Sequence, residues 1–154
     1  MFRDPPPNTL VLEGFDETFT LPVKDAVYCI LPDGRFSMSI ESENHPLMGE
    51  AVFTFERVSI PGGLATGAVL SVPYPQGERE SFDEASTHLY FGTHDDPREA
   101  LVEVVALTQG VLAVVGQFLW HESYAPELGG MRYAKGRFKA ACRRGTHEEL
   151  RVLM

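Results

Sequence analysis

A chain of 154 residues, 44% hydrophobic and 23% charged, fits one domain of ordinary size with enough apolar side chains for a core, far from the composition of a disordered segment. Its formal charge is −9, from 22 acidic and 13 basic side chains. An acidic surface repels nucleic-acid phosphate and anionic lipid, so the balance argues against nucleic acid and membrane and toward a basic protein as partner.

Pro5-Pro6-Pro7-Asn8 closes an extended lead-in (residues 1–8), after which residues 9–154 read as a single β-rich domain. The start of the chain has no apolar stretch of signal-peptide length, which makes the cytoplasm the expected compartment. Thr9–Glu13 and Thr18–Val23 are short strand candidates. Ala26–Leu31 and Arg35–Glu41 form a hairpin through Pro32-Asp33-Gly34. In its second arm Phe36, Met38 and Ile40 alternate with Ser37, Ser39 and Glu41, the pattern of a half-buried strand.

Ser42–Gly49 reads as a polar loop, Glu50–Ile60 as a long strand, and Thr66–Pro73 as another. Glu78–Ser86 carries Glu78, Glu80, Asp83 and Glu84 against Arg79 alone, a solvated acidic loop. Thr87–Thr93 resumes strand character. Residues 96–109 admit two readings. Asp96-Pro97-Arg98-Glu99 has the chemistry of a helix start, with Gly110 as its stop. Against a short helix stand the β-branched Val102, Val104 and Val105 and the strand-like alternation of Ala100, Val102, Val104 and Ala106, which favour a strand turning at Thr108-Gln109-Gly110.

Val111–Trp120 is apolar on both faces, as in a strand covered on both sides, and His121–Gly130 reads as a loop. Arg132–Cys142 alternates, with Ala134, Gly136, Phe138, Ala140 and Cys142 inward and Lys135, Arg137 and Lys139 outward. Glu148–Leu153 is too short to assign. About ten strands spaced by turns predict a mainly β fold, an antiparallel β-sandwich or a rolled β-barrel in one domain.

Motifs for chemistry are missing. The chain has no Gly-x-Ser-x-Gly elbow, phosphate-binding glycine loop, Cys-x-x-Cys or His-Glu-x-x-His pattern, so no catalytic residue, metal ligand or cofactor is assigned. Cys29 and Cys142 sit in apolar alternating segments, where a thiol packs as a small hydrophobe. His88, His94 and His121, with Asp95 and Glu122, would make a nitrogen and oxygen metal site only if their strand ends met, which spacing does not decide. The basic residues Arg132, Lys135, Arg137, Lys139, Arg143 and Arg144 fall between Gly129 and Gly145 with no acidic residue among them, leaving seven basic against 22 acidic side chains elsewhere. Such a strand row more often pairs with neighbouring carboxylates than binds phosphate.

These features favour a non-catalytic acidic binding protein, of the intracellular inhibitor or immunity type, that occludes a basic protein. Its candidate partner contacts are Glu78, Glu80, Asp83, Glu84, Asp95 and Asp96. A small-ligand carrier or enzyme with its site inside a β-barrel is the first alternative, and a structural or assembly subunit that forms homo-oligomers is the second.

Overall fold

The computed structural model describes residues 5–14, 17–72, 85–92, 94–95, 97–125 and 130–150. They form ten strands and one 3-10 turn: β1 (Thr9–Glu13), β2 (Thr18–Ile30), β3 (Phe36–Ser42), β4 (Val52–Val58), β5 (Val69–Val72), β6 (Ser86–Tyr90), β7 (His94–Asp95), β8 (Arg98–Thr108), β9 (Val111–Ala125), β10 (Gly130–Arg144) and the turn His147–Glu149. One sheet holds them all in the order β5-β8-β9-β10-β1-β2-β3-β4-β6-β7, curled into a nearly closed barrel. Of the two expected architectures, the barrel is the one found.

Neighbouring strands in this order run antiparallel. A short parallel contact is added where β10 outruns the five-residue β1 and meets β2 directly, Arg143 beside Val27 and Arg144 beside Tyr28. The barrel wall is thus sealed past the end of β1.

The interior is filled by aromatic rings. Phe53 of β4 stacks on Phe118 of β9 with centroids 4.6 Å apart and planes 10° apart, and lies 5.2 Å from Phe138 of β10. All three are buried, with Leu10, Leu12, Tyr28, Phe36, Met38 and Ile40 around them. β9 and β10 interlock there through glycine. Phe138 is opposite Gly116, and Gly136 is opposite Phe118. A Cβ on Gly116 would stand 2.2 Å from the Phe138 ring, and one on Gly136 would stand 2.2 Å from the Phe118 ring. Each ring fills the place of a missing side chain across the ladder, a device that lets bulky aromatics pack inside a curved sheet.

Several expectations need correction. The two candidates at Thr18–Val23 and Ala26–Leu31 are one strand, β2, whose pairing with β3 slips at a bulge between Val23 and Asp25. β3 is not half-buried. Ser37 and Ser39 on its outer side are buried like Phe36, because the outside of the wall here is covered as well. Of the two readings of residues 96–109, the favoured strand is borne out over Arg98–Thr108 and the helix is not: Glu99 has a positive φ of 52°, foreign to a helical first turn, and Val102 and Val104 point into the core. The turn into β9 is at Gln109 and Gly110, both with positive φ, as a two-residue hairpin requires. His121–Gly130 is not wholly a loop, since β9 continues to Ala125 and β10 begins at Gly130. β9 itself is covered on both sides only in part, with Val111 45% exposed.

Beyond β10 the chain folds back onto the outside of β2. The Gly145 amide donates to the Tyr28 carbonyl at 2.9 Å, and Leu150 packs on Val27 and Cys29. Arg143 holds this strap: its Nε and Nη2 donate to the two Asp25 carboxylate oxygens, each at 3.2 Å, and its Nη1 donates to Glu149 Oε2 at 2.6 Å. These bonds raise the pKa of Arg143, Asp25 contributing most. They also lower that of Glu149, through Arg143 first and the Thr146 amide second.

Both cysteines are buried free thiols on opposite sides of the wall, Cys142 in the main core and Cys29 under Leu150. Burial pushes the Cys142 thiol up to about 12, with Asp25 adding to it. Cys29 is raised by burial, then by the charges of Glu56 and Glu148. A raised thiol pKa stabilises the fold below the unfolded-chain value and loses that contribution as pH climbs through the folded one. Neither thiol should react with a disulfide reagent near pH 8 in the native protein. Leu150→Asp, which lifts the strap, should speed labelling of Cys29 tenfold or more while Cys142 stays silent. Equal labelling of the two would mean that Cys29 is reached only through global unfolding.

Candidate functional site

The strands of the pairs β1–β2, β3–β4, β6–β7 and β9–β10 each follow on from one another at the same end of the barrel, called here the four-turn end. Strand direction requires it, because Thr18 faces Glu13, Val52 faces Tyr90, and Gly130 faces Ala125. The β3–β4 turn is described in full. His45 and Gly49 bond to one another through both backbone groups, at 2.8 and 3.0 Å. The His45 Nδ1 accepts from the amides of Leu47 and Met48, each at 3.2 Å. An acceptor at Nδ1 means the proton of the neutral ring is on Nε2.

The His45 ring is itself wedged between Phe19 of β2, at 5.2 Å, and Phe91, at 6.2 Å. Phe19 and Phe91 touch edge to face at 5.1 Å. This three-ring base fixes the turn, and its tip presents Leu47, which is 88% exposed. Met48 lies back over Gly92, where an added Cβ would come within 3.0 Å of its terminal methyl. Glu43 and Asn44 are exposed beside it, and Glu17 is exposed in the β1–β2 turn. An apolar tip on a stiff turn, among carboxylates, can insert into an apolar cleft ringed with cations.

Of the candidate contacts, Asp95 lies on β7, facing Leu89 of β6, at this same end. Glu78, Glu80, Asp83, Glu84 and Asp96 lie outside the described residues. Glu43, Leu47 and the His45 latch escaped the sequence reading, which took Ser42–Gly49 for a polar loop. Leu47-Met48, two large apolar residues within it, is the signal that marks the turn.

Two members of the basic row of β10, Arg137 and Arg143, are met by the chain's own carboxylates. Arg137 Nη2 donates to Glu13 of β1 at 3.0 Å, and Arg143 is bound by Asp25 and Glu149 as described. This is the cross-strand pairing expected of such a row. β7, with His94 and Asp95, and β9, with His121, stand in different parts of the sheet. Among the described residues no three His, Cys, Asp or Glu side chains are grouped to hold a metal ion. No helix among them is long and apolar enough to cross a membrane. Comparison with family models, with curated proteins and with solved structures finds no match to this chain.

Proposed function

We propose that this protein is a non-catalytic acidic binding protein of the cytoplasm, of the inhibitor or immunity type, which occludes a basic protein partner with the four-turn end of the barrel. The supporting observation is that Arg137 and Arg143 of the β10 row are paired with carboxylates of the same chain. With Arg137 and Arg143 engaged by Glu13, Asp25 and Glu149, these two cations do not offset the exposed Glu17 and Glu43 at the four-turn end. Packed Phe53, Phe118 and Phe138 occupy the barrel axis, so the surface is the better place for recognition than the interior.

The test is capture from the native source at low salt, elution with rising salt, and titration of the identified protein against variants. A basic protein binding one to one is expected, its affinity falling tenfold or more for Glu43→Lys/Asp95→Lys and for reversal of Glu80, Asp83 and Glu84, and falling with ionic strength. Affinity unmoved by both sets of reversals, or by salt, would sink the proposal.

A further inference from the structure

Several buried hydroxyls of the wall are paired. Ser37 Oγ accepts from the Arg57 amide at 3.0 Å and Ser42 Oγ from the Ala51 amide at 2.8 Å, while Thr87 Oγ1 donates to the Pro97 carbonyl at 3.1 Å. Three buried oxygens on β4 and β6 have no hydrogen-bond partner among the described residues: Thr54 Oγ1, Glu56 Oε1 and Ser86 Oγ. An unpaired buried polar atom costs more than a paired one gains, and a carboxylate costs most. Orphans of this kind, grouped on one face, call for a partner from outside the chain.

The three belong to one place. Phe53 and Phe55 of β4 point into the core, so Thr54 and Glu56 point out. Ser86 of β6 stands directly across from Glu56, and Thr54 lies two residues back along β4 on the same face. Thr54 is 1% exposed, Glu56 3% and Ser86 6%, so all three are under cover on the outside of the wall. None is hydrogen-bonded to another, and the oxygens stand around a gap instead of touching. A bulge helps to set this arrangement. Glu56 and Arg57 together oppose Ser37, between the pairs Phe36–Val58 and Met38–Phe55, and Arg57 takes a positive φ of 57°. Bulges re-aim the side chains beside them. Among the described residues Arg57 makes no ion pair with Glu56.

The occupant follows from donor count and charge. All three oxygens can accept, and together they carry the single negative charge of Glu56. A primary ammonium brings three N–H donors, no acceptor and one positive charge, a match on each count. A guanidinium brings five donors in a plane and would leave two of them unmet. A divalent ion needs more carboxylate than Glu56 alone supplies, and the described residues hold no metal-binding group of three His, Cys, Asp or Glu side chains.

We propose that the outer face of β4 and β6 binds a primary ammonium group, held by Glu56 Oε1, Thr54 Oγ1 and Ser86 Oγ. The group comes from a free amine or from a lysine side chain. Glu56 and Ser86 lie toward the end of β4 and β6 away from Val52 and Tyr90, which mark the four-turn end. The site therefore stands independently of the partner proposed for that end.

The experiment is thermal melting of the full chain against chloride salts titrated at constant ionic strength: methylammonium, tetramethylammonium, potassium, and lysine blocked at its α-amino and carboxyl groups. Methylammonium should raise the melting temperature, by about 3–6 °C at ten times the dissociation constant read from the same titration. Tetramethylammonium has the same charge and no N–H, and neither it nor potassium should do so. Glu56→Gln keeps the shape and drops the charge, and it should abolish the rise. Thr54→Val should weaken binding roughly tenfold, with circular dichroism showing that each variant is folded. A matching rise with blocked lysine assigns the site to side chains as well, whereas a rise with methylammonium alone confines it to free amines. No rise with either amine overturns the proposal. So does an equal rise with tetramethylammonium or potassium, or a rise that Glu56→Gln leaves intact.

Discussion

Gly136→Ala should cost the barrel about 3 kcal/mol or more, at or beyond the upper end of ordinary overpacking. The added methyl carbon would sit 2.2 Å from the Phe118 ring, well inside contact distance. Phe118 cannot retreat, because its other face is stacked on Phe53 at 4.6 Å. Gly116→Ala should behave alike, through the Phe138 ring. Elsewhere in a strand alanine gains on glycine by reducing the freedom of the unfolded chain, by about 0.5–1 kcal/mol. Here that gain is overrun. Urea unfolding reads the loss, and Phe118→Leu placed beside Gly136→Ala should return part of it, since the two changes share one contact. A Gly136→Ala midpoint equal to that of the parent would show that the rings yield freely and that the interlock is not a constraint.

Phe53→Ala tests the same centre in the opposite sense. Phe53 is wholly buried, and its ring touches both Phe118 and Phe138. Removing it should cost about 3–5 kcal/mol, the transfer free energy of the ring plus the cavity left by walls that cannot close in. The hollow would be lined by aromatic and aliphatic carbon, and dry cavities of this kind accept benzene. A melting temperature that rises with benzene in Phe53→Ala, and not in the parent chain, is the expected signature. A loss below about 1 kcal/mol would mean that neighbouring rings collapse into the space.

Strand character was readable wherever one side of the wall meets water. Lys135, Arg137 and Lys139 alternate with Gly136, Phe138 and Ala140, and β10 follows that pattern in the structure. β3 carries an equally clean alternation, yet both of its sides are buried. Alternation reports which side chains are apolar, and it is silent on what distant chain later covers the polar ones. The Leu150 strap over Cys29 is such a cover, set by the reach of Arg143 to Asp25 across 118 positions of sequence. The pairing of Phe118 with Gly136 and Phe138 with Gly116 depended on the register between β9 and β10, which no local pattern encodes. For the candidate site, Asp95 could be picked out as one acidic residue among many. The His45 latch could not, because its partners are backbone amides and two rings from other strands.

Terminal-side strands meet in this sheet: β1 lies between β2 and β10, with Thr9 facing both Pro22 and Lys139. During synthesis on the ribosome β1 can join β2 almost at once, but its other edge waits until residues 130–144 have emerged. For most of translation the growing chain therefore presents an open hydrogen-bonding edge, with Leu10 and Leu12 beside it. Closure by so distant a contact is slow to find and exposes the intermediate to pairing with another chain. A factor that shields strand edges would matter more to the making of this protein than to its upkeep.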